Sequence, residues 1–169
     1  MTTELQFDFL VDQAKHTITV KREFAARRQL VWDCHTQSEL LDQWFAPKSL
    51  TTKTKHMEFK PGGYWHYAMI TPDSQSFWSR LDYKTIQPID GYTAMDGFSD
   101  ETGAVNPHMP RADWDVAFTD ANQKHTLVTT VVQYKSAEDV QKAIDMGLKD
   151  GMASTLERLD ELLLVIAPA

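Results

Sequence analysis

The stretch Arg22-Glu-Phe-Ala-Ala-Arg-Arg-Gln-Leu-Val-Trp-Asp-Cys-His-Thr-Gln-Ser-Glu-Leu-Leu-Asp-Gln-Trp-Phe-Ala-Pro47, followed by Lys60-Pro-Gly-Gly-Tyr-Trp65, decides the reading of this chain. An extended segment ends near Phe24, two short helices follow, and the chain then enters a Pro-Gly-Gly turn. The strand leaving that turn carries Trp65, Tyr67 and Met69 on one face, because side chains alternate across a strand. That is how a sheet wrapping a cavity begins.

Working outward, Thr17 to Phe24 reads as the first strand by its period-two pattern, with Ile18 and Val20 on one face. Leu30, Val31 and Cys34 recur at helical spacing, and Thr36 stands three residues before Glu39 as a capping box for a second helix that Pro47 ends. Strands are predicted over 53–60, 64–70, 77–86 and 92–99, separated by the turn signals Pro61-Gly62-Gly63, Pro72-Asp73-Ser74 and Pro88-Ile89-Asp90-Gly91. Such short turns force antiparallel neighbours. Asp100 to Pro110 holds Gly103 and Pro107 and reads as a rim loop. Strands over 113–118 and 126–134 follow. From an N-cap at Ser136, apolar positions from Val140 to Ile166 repeat every three or four residues, the pattern of one long amphipathic helix with Asp145 and Lys149 as an i,i+4 pair. Gly147 and Gly151 within it call for a packing reason, a close approach to the sheet or room for a guest; a break into two helices at Gly147 is the alternative.

Composition bounds the function. A chain of 169 residues with 42% hydrophobic content fits one domain over 1–169, its core about 16–164. Seventeen basic against 24 acidic residues give a net charge of -7 with no basic run, which disfavours nucleic acid. The single cysteine, Cys34, forms no internal disulfide, and residues 1–15 lack the pattern of a secretory signal, so a reducing cytoplasm is expected. No apolar run reaches the roughly 18 residues a membrane span needs, and no membrane partner is expected.

Motifs sharpen the architecture. Val31-Trp32-Asp33, the exit Trp44-Phe45-Ala46-Pro47, the Pro61-Gly62-Gly63 turn with Trp65, and the helix end from Gly151 to Leu163 together resemble the AHSA family. Its members are homologs of the C-terminal domain of the activator of the ninety-kilodalton heat-shock protein's ATPase, within the START-like (SRPBCC) superfamily. The resemblance spans about 17–164 and implies an α+β helix-grip fold, START-like and Bet v 1-like, in which a curved antiparallel sheet wraps a long C-terminal helix. Three departures stand out: Trp44-Phe45 replaces a double Trp, Pro47-Lys48-Ser49 lacks the glycine that often follows the proline, and Met152 replaces an aromatic. They bear on the size of the cavity.

Candidate chemistry is sparse. The six histidines are scattered without metal-ligand spacing, so neither a metal nor another cofactor is expected. Cys34 and His35 are adjacent, which on a helix turns them about 100° apart and away from a nucleophile–base pair. His66 alternates with Trp65 and Tyr67 and reads as a solvent-side or sheet-packing residue; Asp113 and Asp115 read as a solvated face opposite Trp114. Arg80 and Asp82 follow Trp78 on one strand face. Inward, they would anchor a ligand carboxylate or phenol; outward, they are a surface pair of small energetic worth.

The leading expectation is a binding protein for a small hydrophobic or amphipathic molecule held between sheet and helix, with Trp44, Phe45, Trp65, Tyr67, Met69, Trp78, Arg80, Phe98, Trp114 and Met152 as ligand-binding residues and no catalytic residue. Trp65 and Trp114 are expected to be largely buried, Met152 to form an adaptable wall, and the loop from Asp100 to Pro110 to control access. One alternative is a cyclase- or hydrolase-like enzyme on an aromatic or polyketide-type substrate, relying on isolated acids such as Asp82 or Asp96. The other is a stress-related co-chaperone of a heat-shock ATPase, disfavoured because about fifteen residues precede the first predicted strand. A homodimer is compatible with either.

Overall fold

The computed structural model describes residues 5–167. Eight strands form one sheet in the order β1-β2-β8-β7-β6-β5-β4-β3. They are β1 (Phe7–Asp12), β2 (Thr17–Phe24), β3 (Thr51–Met57), β4 (Tyr64–Ile70), β5 (Ser76–Gln87), β6 (Gly91–Ser99), β7 (Asp113–Asn122) and β8 (His125–Gln133). Every neighbouring pair is antiparallel. Helices α1 (Arg28–Thr36) and α2 (Ser38–Trp44) link β2 to β3, and α3 (Ala137–Asp145) and α4 (Leu148–Ile166) follow β8. This is the α+β helix-grip arrangement, with the curved sheet around the last helix.

The sheet starts one strand earlier than predicted. β1 pairs with β2 from Phe7 opposite Arg22 to Asp12 opposite Thr17, and Phe7 and Phe9 pack against the core. Its period-two signal is blurred because Leu10, on the outer side of an edge strand, is also apolar.

The apolar sides of the strands meet α1, α2 and α4 in one core containing Ile18, Val20, Phe24, Val31, Trp44, Trp65, Phe118, Val132, Leu159 and Leu163, all nearly free of solvent. Trp32 sits at its centre, edge-on to Phe59, Tyr92 and Phe118. The α4 side of the core is tied to the α2–β3 connection by Arg158, whose guanidinium donates to the carbonyls of Ala46 and Leu50 at 2.8 Å each. These anchors settle α4 across the concave face.

Two helix boundaries differ from prediction. Thr36 does not open α2: it ends α1, and its hydroxyl donates back to the Trp32 carbonyl at 3.0 Å, leaving Gln37 as the residue before α2. The long C-terminal helix is two helices. Ser136 caps α3 as predicted, accepting the Asp139 N–H at 3.1 Å. Gly147 then takes φ +85°, a left-handed conformation that ends α3 and starts α4. Asp145 consequently lies across the break from Lys149 and accepts from Gln141 instead. The β3–β4 turn explains its second glycine, since a Cβ on Gly63 would lie 2.1 Å from the Glu58 carbonyl oxygen.

Candidate functional site

Between the concave sheet and the α3–α4 helices lies a cavity of about 430 Å³. Its floor follows from strand alternation. Trp65, Tyr67 and Met69 on β4, Leu81 and Tyr83 on β5, Tyr92, Asp96 and Phe98 on β6, and Trp114 and Val116 on β7 all line it. Gly151, Met152, Thr155 and Leu156 of α4 form the roof, with Trp44, Phe45 and Pro47 from the α2–β3 connection as one wall. Phe45 leans on Trp65 at 5.0 Å, and Trp65 stacks on Tyr67 with ring centres 3.9 Å apart. Gly151 faces this space with only Pro47 near the position a Cβ would take, 3.9 Å away, so the glycine leaves room in the cavity. Partly exposed Phe98 (39%) and Met146 (56%) mark the mouth, beside Gly147 and Pro110.

Eight of the predicted residues are on the cavity side: Trp44, Phe45, Trp65, Tyr67, Met69, Phe98, Trp114 and Met152. Trp65 is 2% exposed as expected, and Trp114, which also borders the cavity, is more exposed than Trp65 but still mostly covered and packed against the core. Arg80 also borders the cavity, but its guanidinium, like Trp78, belongs to the other face. The inward direction of β5 is fixed by Tyr83, which is in the core, so Trp78, Arg80 and Asp82 point to the convex side. There Arg80 donates to Asp82 at 2.6 Å and to the Gly103 carbonyl at 2.8 Å, and Arg111 donates to the other Asp82 oxygen at 2.5 Å. Arg80 also lies 4.1 Å over the Tyr64 ring. Burial works to raise the Asp82 pKa, but the two guanidiniums outweigh it and hold the carboxyl below its ordinary range.

The loop from Asp100 to Pro110 is not a lid over its whole length. Its first half folds onto the convex face: the Asp100 carboxylate accepts the N–H groups of Thr102 and Ala104 at 2.9 and 3.0 Å. The Asp100 carbonyl lies 3.0 Å from His66 Nε2, and Lys55 donates to the Glu101 carbonyl at 2.7 Å. His66 is therefore buried beneath the loop, against Trp78, rather than solvated. Pro110, at the far end, does reach the cavity lining.

The polar groups of the cavity are the part that sequence reasoning undervalued. Asp96 points inward, its carboxylate accepting the Trp114 indole N–H at 2.6 Å and the Ala112 N–H at 2.8 Å. Burial raises its pKa, and those two hydrogen bonds only partly offset the rise. Tyr83, Tyr92 and Tyr134 are each at least nine-tenths buried and line the cavity. Among the described residues no fully enclosed side-chain polar atom lacks a partner, and none of these three hydroxyls makes a protein hydrogen bond, so each keeps some open space at its oxygen on a residue that borders the cavity. Burial pushes all three phenols up, as it does Tyr67, and the Asp96 charge adds to the rise at Tyr67 and Tyr134. They remain neutral donors and acceptors. His35 completes the inner wall as a neutral imidazole, its Nδ1–H donating to the Val31 carbonyl at 2.8 Å and its pKa lowered by burial to about 4. Cys34 beside it is buried and its thiol is pushed up to about 11 by burial, which suits a packing residue. The signal for Asp96 was present in the sequence, since Tyr92, Ala94, Asp96 and Phe98 share one strand face.

No helix among the described residues is long and apolar enough to cross a membrane. The model of the family described as Activator of Hsp90 ATPase homolog 1-like protein matches residues 25–164. Among solved structures, protein Ms6760 from Mycobacterium smegmatis is 28% identical with a TM-score of 0.85, over 95% of this chain and 97% of that one. A protein from Arthrobacter aurescens is 26% identical with a TM-score of 0.87, over 96% and 92% of the two chains. One from Staphylococcus epidermidis is 27% identical with a TM-score of 0.82, over 94% and 96%. No curated protein matches the chain.

Proposed function

We propose, from the premise that the chain belongs to the Activator of Hsp90 ATPase homolog 1-like family, that it is a carrier or sensor of a small, largely apolar molecule held between the sheet and α4. The observation that carries this reading is the cavity of about 430 Å³ bordered by aromatic rings and open phenol hydroxyls. Pockets for small molecules run to roughly 300–1,000 Å³, mostly apolar with a few oriented polar groups. Packed solid, the same space would cost nothing to maintain. Left open, it withholds dispersion contacts from every residue around it, a cost that a guest would offset.

Ring-sized neutral aromatics such as 1-naphthylmethanol should raise the melting temperature of the wild-type protein. Met152→Trp, which fills the roof of the cavity, should fold normally and lose most of that shift. Equal stabilisation of both proteins would place the guest elsewhere, and no stabilisation by any of a panel of such compounds would remove the reading.

A further inference from the structure

The charge of the cavity is more selective than its size. Asp96 is the one carboxylate among its lining residues, and no lysine joins it. Arg80 contributes to the lining, but its guanidinium is engaged on the convex side by Asp82 and Gly103. His35 is held neutral by burial. From α3 and α4 the lining groups are uncharged: Ala143, Leu148, Gly151, Met152, Thr155 and Leu156. Tyr67 and Tyr134 feel the charge of Asp96, while Arg111 and Asp113 act on the carboxylate with opposite signs. A guest therefore meets a carboxyl group and no accessible positive charge.

The hydrogen bonding points the same way. Each Asp96 oxygen already accepts one N–H, from Ala112 or Trp114, and a carboxylate oxygen has a second lone pair to offer. No further protein donor fills those second lone pairs. The surrounding rings present negative π-faces, which attract cations most when water is excluded. The open hydroxyls of Tyr83, Tyr92 and Tyr134 can turn their lone pairs toward the same guest.

Resting on the cavity reading above, we propose that the guest is an amphipathic amine: a ring-sized apolar body with a protonated nitrogen at one end, the nitrogen donating to Asp96 and the body lying against Trp65, Tyr67 and Met152. A carboxylate of the same shape is rejected by like charge. Of the two readings open for Arg80 and Asp82, the outward pair is the one realised, so Arg80 offers no anchor for a ligand carboxylate.

Three probes of one shape test it at pH 7 by calorimetric titration: 1-naphthylmethylamine, 1-naphthylmethanol and 1-naphthoate. The amine should bind about tenfold or more tighter than the carboxylate, a difference of about 1.4 kcal/mol, with the alcohol between them. Because the net charge of -7 draws cations to the surface generally, the amine must also lose affinity in Met152→Trp; retention there overturns the proposal. In Asp96→Asn the amine-to-carboxylate ratio should fall to within about threefold, and an unchanged ratio overturns it as well. Should that variant fail to fold by circular dichroism, the wild-type ranking with the Met152→Trp control decides. If the alcohol binds in the cavity and the amine shows no advantage over the carboxylate, the amine proposal fails while the cavity reading stands. If none of the three binds, both fail.

Discussion

Asp82 and Asp96 lie on neighbouring strands, touch the same arginine, and live under opposite rules. On the convex face Asp82 receives Arg80 and Arg111, and its charge is matched within the protein. On the concave face Asp96 receives two neutral N–H groups, while Arg111 binds its backbone carbonyl at 2.7 Å and reaches the carboxylate only through space, without a hydrogen bond. One carboxyl is held below its ordinary pKa and the other is raised above it. A charge that the chain satisfies itself is structural. One left short of a counter-ion, beside open space and free hydroxyls, is where the proposed guest would act.

The two faces should also differ in what they contribute to stability. Trp65→Ala on the concave side should cost roughly 3–5 kcal/mol by lost transfer energy plus a new void, since its ring is packed against Phe45 and Tyr67 and its indole N–H donates to Thr54 at 3.0 Å. Trp78→Ala on the convex side, where the ring rests on His66 and Lys55, should cost about 1 kcal/mol. Urea unfolding of the two variants checks this, and equal costs would break the contrast between the faces.

Acid should reach the cavity wall next. His35 has a folded pKa of about 4 against an ordinary 6.5, so the unfolded chain binds the proton first as pH falls. Stability due to the neutral imidazole is fully present above pH 6.5 and is lost down to about pH 4, amounting to about 3 kcal/mol by linkage. Denaturant melts at pH 7 and pH 4.5 of wild type and His35→Gln should converge as pH falls. Parallel curves would mean that His35 is solvated.

The aspartates themselves make a smaller and more diagnostic pair. Asp82→Asn leaves two arginines without their shared anion and should cost about 1 kcal/mol, a figure reduced by partial exposure of the network. Asp96→Asn removes a penalised charge while mispairing one N–H, so stability at pH 7 should move by less than about 1 kcal/mol. The pH trends should oppose each other. The stabilisation at Asp82 is present above its unfolded value of 3.8 and lost as pH falls through its lowered folded value. At Asp96 the raised folded value makes the fold gain stability as pH falls toward 3.8. Gly147→Ala should likewise cost about 1 kcal/mol, by its left-handed conformation alone, since an added Cβ there meets nothing within 4 Å.

How much of this was legible before the structure differs by face. The antiparallel sheet, α2 and the aromatic floor of β4 follow from periodicity and turn residues, because in β4 the large rings Trp65 and Tyr67 alternate with a small or polar partner side. β5 defeats the same reasoning. Phe77, Leu81 and Tyr83 on one side and Trp78, Arg80 and Asp82 on the other both look fit to line a cavity, and the choice is made by contacts distant in sequence: Tyr83 against Tyr92 and Phe59, and the fold of 100–105 over Arg80. The break at Gly147 was readable as a glycine in a helical pattern, but only its φ of +85° distinguishes a hinge from a tolerated glycine. The open tyrosine hydroxyls had no sequence signal at all, since whether a phenol finds a partner is a property of packing.

The central claim, that the concave face holds a guest and the convex face is complete without one, has a direct readout in the five tryptophan indole N–H resonances. Titrated with 1-naphthylmethanol, the signals of Trp44, Trp65 and Trp114, which line the cavity, should shift together and saturate with one binding constant, Trp114 the most because its N–H is held by Asp96. The Trp78 signal should stay in place. A titration that moves Trp78 while leaving the cavity tryptophans unchanged would contradict the account.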